Sequence, residues 1–207
     1  MTKKVEVLLR SGIIVHYLEL LPGLLLARLA SSSSIPKMET AMTDTPEKTI
    51  TAILDALEGA IAIFDDLLRS IPAEALDIKR GEGFWTLREH AAHLADVQPM
   101  GLERMRRILT EDVPQFVPFS PDQEKETEKP PLIPVDEIIA NFRAGRKKQL
   151  ELLKNASADD WKRTAIHPEY EQYGLFIFTR HILMHDHWHM YRMEELWLTR
   201  DEYLSKL

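Results

Sequence analysis

The chain has 207 residues, 44% hydrophobic and 29% charged, with a formal charge of −7 and no cysteine. That length and apolar content suit one globular domain, or one domain plus a tail. The negative balance argues against a non-specific nucleic-acid binder, and the lack of cysteine excludes disulfides, thiolate metal sites and cysteine nucleophiles, so any metal must be held by His, Asp or Glu.

Residues 1–41 differ in composition from the rest of the chain. An apolar stretch from Gly12 to Leu26 leads into Ser31–Ser34 and Ile35-Pro36. Glu6, Arg10, His16, Glu19 and Pro22 interrupt it, and no small-x-small cleavage site comes after it, so it does not read as a signal peptide. Nor does it read as a membrane span, which needs about 18 residues nearly free of charge. The expectation is an extension of the reading frame, with the native start at Met38 or Met42 and residues 42–207 as the domain. An amphipathic membrane-surface helix is the alternative.

Asp44-Thr45-Pro46-Glu47 carries helix-start signals: a capping residue, a Pro suited to the first turn and early negative charge. Ile50, Ile53, Leu54, Leu57, Ile61, Phe64, Leu68 and Ile71 then form the buried stripe of a helix ending at Pro72. Thr86-Leu87-Arg88-Glu89 has the spacing of a capping box, and the helix it opens carries His90, His93 and Asp96 among Ala91, Leu94, Leu102, Met105 and Leu109. Pro99 should kink that helix. A Pro-rich connection with an acidic patch, Asp122 to Glu128, runs from Glu111 to Pro134 and suits a crossover in a bundle. A third helix is expected from about Val135 to Asn155, a short turn at Ser157-Ala158-Asp159-Asp160, and a fourth helix after Gly174. No strand-like alternation or internal repeat occurs, so the expected fold is all-α, a four-helix bundle with a long crossover. Two basic clusters, Arg104, Arg106, Arg107 and Arg146, Lys147, Lys148, read as solvated faces, though either could hold an anionic substrate.

The last helix holds four of the eight histidines within nine positions, His181 to His189. Residues four apart share a helix face, so His181, His185 and His189 form a ladder and His187 points elsewhere. His185 and His189 can converge on one metal ion. A third ligand from a facing helix is expected at His93, set among apolar neighbours; His90 is the rival, nearer the helix start and expected to be more exposed. From His181 to His189 a helix rises about 12 Å, too far for all three rings to reach one ion. His181 is therefore expected near the site but unbound, as a proton shuttle, and Asp96 as a group that orients His93 or takes a proton.

Two segments give the chain a resemblance to the DinB-like (YfiT-type) metal-dependent proteins. Trp85-Thr86-Leu87-Arg88-Glu89-His90-Ala91-Ala92-His93-Leu94-Ala95-Asp96 is similar to the family's Trp-Ser/Thr-x-x-Glu-x-x-x-His-x-x-Asp, and His185-Asp186-His187-Trp188-His189 to its His-x-x-x-His. His167-Pro168-Glu169 resembles the turn that some members place before the last helix. The resemblance implies a DinB-like bundle with His93, His185 and His189 as ligands of a divalent ion, zinc or nickel. It implies a hydrolase, or a transferase or isomerase that activates a low-molecular-weight thiol; a non-enzymatic stress-response bundle with a structural ion is the alternative. Many members follow the last ligand with Arg-Gly-Gln, where this chain has Met190-Tyr191-Arg192. The expected partners are a small-molecule substrate and a second copy of the chain, without nucleic acid or membrane, and the expected location is the cytoplasm.

A chain starting at Met42 is expected to fold and bind metal as well as the full sequence. Thermal unfolding of the two decides, and a large loss of stability on truncation would place residues 1–41 in the domain.

Overall fold

The structure, a computed structural model, describes residues 47–118 and 132–205; the expectations for residues 1–41 and for the acidic patch fall outside them. Five helices are described: α1 (Glu47–Ser70), α2 (Leu87–Asp96), α3 (Gln98–Thr110), α4 (Val135–Lys154) and α5 (Leu175–Leu198). With α2 and α3 as two halves of one broken rod, they make a four-helix bundle. Among the described residues there is no strand, only isolated bridges such as Gln115 with Ile166 and Thr164 with Gly174.

The helix limits follow local chemistry. Thr86 accepts from the Glu89 backbone N–H at 3.1 Å while the Thr86 N–H donates to the Glu89 carboxylate at 2.6 Å, a reciprocal cap on α2. The second rod is interrupted at Val97, which keeps helical backbone angles, two residues before the Pro99 that was expected to kink it. Pro99 has no N–H to give and opens α3, and the Gln98 side-chain amide donates to the Leu94 carbonyl at 2.8 Å.

The core lies in two apolar clusters. One gathers Phe64 and Leu68 of α1, Leu87, Ala91 and Leu94 of α2, Ile138 and Phe142 of α4, and Met190, Met193 and Leu196 of α5. The other gathers Ile53 and Leu57, Met105 and Ile108, Leu150 and Leu153, and Leu175, Phe178 and Leu183 from the same rods in order. The order in which each rod visits the clusters gives its direction. α1 and α5 run one way and the α2–α3 rod and α4 the other, so the chain goes up, down, down, up. The end of α3 and the start of α4 therefore lie at opposite ends of the bundle, which calls for a long crossover between them. The α2–α3 rod packs on α4 and α5, as does α1; α1 thus lies across the bundle from α2–α3.

Between the clusters is a polar waist of Gln98, Arg146, Gln149 and Asp186, all buried. Arg146 Nη2 donates to Asp186 Oδ2 at 2.6 Å, and Gln149 Nε2 donates to the Gln98 carbonyl at 2.9 Å. Arg146 is thus no solvated residue, as its basic run suggested; it is fully buried, because its helix position faces Asp186 across the interior. α3 and α4 approach closely here, and a Cβ on Gly145 would lie 2.3 Å from Gln98 Cβ.

That approach generates a paired prediction. Gly145→Ala must push α3 from α4 and destabilises by about 1–3 kcal/mol, whereas Gly59→Ala, on the exposed side of α1 with nothing within 4 Å of the new atom, stabilises by about 0.5–1 kcal/mol. Thermal or urea unfolding checks both signs.

Candidate metal centre

α2 and α5 bring His93, His185 and His189 together, with one ligand atom from each lying within 4.8 Å of the others. His185 Nε2 is 3.1 Å from His93 Nε2 and 3.2 Å from His189 Nε2. A neutral imidazole nitrogen offers either one N–H or one lone pair, so two such contacts at His185 Nε2 cannot both be good hydrogen bonds. A cation removes the conflict, because all three nitrogens then present lone pairs. The spacing fits: metal–nitrogen bonds of about 2.0–2.1 Å in a tetrahedron set nitrogens about 3.3–3.4 Å apart. The residues present therefore suit a divalent ion.

His90 was expected to be the exposed rival of His93; it is buried instead, at 4% exposure. Its position one turn before His93 turns it toward α5, where its Nδ1 lies 2.7 Å from His189 Nδ1. If His189 offers Nε2 to an ion, its Nδ1 carries the proton and donates it to His90. His90 then fixes the tautomer and angle of a ligand. Trp85 closes the cluster, its ring 5.3 Å from that of His90, 5.2 Å from His93 and 5.7 Å from His189, on which it stacks. Trp188 meets His189 edge-on at 4.7 Å.

Burial holds these rings neutral. It pushes His90 down to about 4, aided by the charge of Arg192, and His185 down to about 3, aided by His93 and His181; it lowers His189 too. Neutral imidazole is the form that binds metal.

Residues 56–200 match the DinB superfamily. The chain belongs to that superfamily. It is 31% identical over 116 residues to "Putative metal-dependent hydrolase OB0782" of Oceanobacillus iheyensis, covering 56% of this chain and 67% of that one. It is 28% identical over 103 residues to "Putative metal-dependent hydrolase BT9727_2476" of Bacillus thuringiensis, covering 49% of this chain and 58% of that one. YfiT from Bacillus subtilis, described as a probable metal-dependent hydrolase with an unusual four-helix bundle topology, matches in fold with a TM-score of 0.66 at 22% identity, over 73% of this chain and 87% of that one.

Within this DinB fold the other expected residues take separate places. His187 is exposed and faces away from the triad. His181 stays outside the convergent set and meets the Tyr170 ring edge-on at 5.8 Å. Asp96 lies on the exposed side of α2, one turn past His93. Arg192, which comes after the last histidine where many members have Arg-Gly-Gln, is buried and paired with Glu195. Sequence pattern offered His90 only as an exposed rival ligand and Trp85 only as part of a family motif, not as the supports of the histidine cluster that their positions make them. The available signal was that His90 lies three residues from His93, on the same face of α2.

The depressed imidazoles set a pH dependence. A histidine whose folded pKa lies below its unfolded value near 6.5 binds its proton more readily when unfolded, so its contribution is present above pH 6.5 and lost as pH falls. Asp186 acts the other way: burial raises it to about 6 despite Arg146, so the folded state gains from its protonation as pH drops below that value. Three imidazoles outweigh one carboxyl. The metal-free protein is expected to lose thermal stability steadily from pH 6.5 toward pH 4.5, and a flat midpoint over that range would contradict the assigned burial.

Proposed function

We propose that the chain is a metal-dependent enzyme acting on a small molecule, by hydrolysis or by transfer to a low-molecular-weight thiol, with His93, His185 and His189 as ligands of one zinc or nickel ion. The observation that carries this reading is the convergence of three neutral imidazole nitrogens from two facing helices, while His181, the fourth candidate, lies outside the set. Three protein ligands leave a position for water or substrate, whereas structural ions favour four. The names of the relatives support the hydrolytic arm.

When bound, the ion supplies Lewis-acid activation of water or of a substrate carbonyl. The chain's own groups do the rest. His90 orients His189, and Trp85 shields the ring faces of the cluster. His181, one turn before His185 and exposed, is placed to move a proton between the site and solvent, while Asp96 is suited to orient His93.

The purified protein is expected to hold about one divalent ion per chain, and His93→Ala, His185→Ala or His189→Ala to lose it. His187→Ala and His181→Ala keep it, and His90→Ala binds it about 10–100-fold more weakly. Elemental analysis and metal titration read these outcomes. Retention by His185→Ala would sink the ligand assignment, and loss in His181→Ala would move the reading to a closed structural site.

A further inference from the structure

We propose that Arg104, His181 and Tyr173 form a subsite for an oxyanion, a carboxylate or phosphate, carried by the small-molecule substrate; this rests on the metal-dependent reading above and adds a substrate class to it. α3 carries three arginines. Arg106 pairs with Glu103 at 2.6 Å and Arg107 with Glu111 at 2.9 Å. Arg104 forms no ion pair among the described residues. Its guanidinium donates to the Tyr173 hydroxyl at 3.2 Å and to the Val117 carbonyl at 2.8 Å. Its carbon lies 5.4 and 5.9 Å from the ring centroids of Phe116 and Phe178. The charge is held in place by neutral partners on an aromatic floor, and a guanidinium with five N–H groups keeps donors to spare.

The histidine and tyrosine rings beside Arg104 are hydrogen-bonding groups. Burial and then the charge of Arg104 lower the pKa of His181 and of His167, so both rings are uncharged at pH 7. Glu169 opposes that shift at His167, and its backbone N–H donates to His167 Nδ1 at 3.3 Å. Tyr170 stacks on Tyr173 at 5.6 Å and meets His181 edge-on. Tyr170 is 41% exposed and His181 is exposed, whereas Arg104 is half-buried and Tyr173 buried, so a solute reaches the group from the side of His181.

Its place relative to the triad gives the substrate its shape. His181 and His185 share a face of α5 and lie one turn, about 6 Å, apart along the axis. From His181 the contacts run on through the Tyr170 ring at 5.8 Å to Tyr173 at 5.6 Å, whose hydroxyl meets Arg104 at 3.2 Å. The sequence of contacts is thus triad, His181, the two tyrosines and Arg104 of α3. It suits an extended molecule whose reacting group lies at the triad and whose oxyanion lies at least one helical turn away, where a fixed guanidinium, an imidazole N–H and a phenol O–H can bind it.

The test is a titration of the zinc-loaded full chain with inorganic phosphate at constant ionic strength, followed through the imidazole NMR resonances. Saturable shifts at His181 and His167 are expected. Arg104→Gln should weaken phosphate binding about tenfold or more, since a charge-assisted contact is lost. Arg180→Gln, an exposed arginine of α5, should leave it unchanged. Arg104→Lys, which keeps the charge without the fork, should fall between and serves if Arg104→Gln does not fold. Shifts confined to His93, His185 and His189, with equal affinity in the Arg104 variants, would mean binding at the ion and overturn the subsite, as would failure to saturate. Repeating the titration without zinc separates the two readings. Arg104-dependent shifts at His181 persist there if the subsite is real, whereas failure of the wild-type chain to bind zinc overturns the metal-dependent function alone.

Discussion

The buried pair of Arg146 and Asp186 is the interaction around which the interior is arranged. Both side chains are withdrawn from water, yet a single 2.6 Å hydrogen bond joins them, so much of the cost of burying two charges is not returned. Among the described residues, Arg146 Nε and Nη1, Asp186 Oδ1 and the side-chain oxygens of Gln98 and Gln149 have no hydrogen-bond partner. Such a layer is a poor source of stability and a strong constraint on register. Sliding α5 by one turn past α4 would carry Asp186 into an apolar cluster and leave Arg146 buried alone, a loss of about 3–5 kcal/mol. Because His185 adjoins Asp186, the same constraint fixes where the metal centre forms.

The break between α2 and α3 falls at this waist for a related reason. A continuous helix would have to present both the histidines of α2 and the apolar face of α3 along one straight stripe. Pro99 ends the hydrogen-bond ladder, and Gln98 caps the carbonyl left behind while its backbone carbonyl receives Gln149. The two halves can then tilt separately. α2 turns His90 and His93 toward α5, and α3 lays Met105 and Ile108 into the second cluster with Arg104 at its edge.

Much of this was legible in the sequence because it rests on local chemistry. The stripe of α1, the Thr86–Glu89 cap, the Pro99 interruption and the His185–His189 pair each come from spacing, and His93 from its apolar neighbours and the family resemblance. Residues whose setting is tertiary were misjudged. Arg146 stands in a run with Lys147 and Lys148, and only the position of Asp186 on another helix shows that it points inward. His90 looked exposed because it lies near a helix start, but Trp85, just ahead of the cap, folds over that end and encloses it. The antiparallel and parallel relations of the rods were equally hidden, since they depend on which cluster each helix reaches first.

The choice of a histidine to support a histidine has a consequence for reactivity. Metal-bound imidazoles commonly lean on a carboxylate, which raises their basicity and adds negative charge close to the ion. His189 leans on His90, a neutral ring whose own protonation is suppressed by burial and by Arg192. Were His93, His185 and His189 to hold a divalent ion as proposed, three neutral ligands with a neutral support behind one of them would leave its full charge at the site, and it would polarise an oxygen more strongly than an ion part-neutralised by carboxylates.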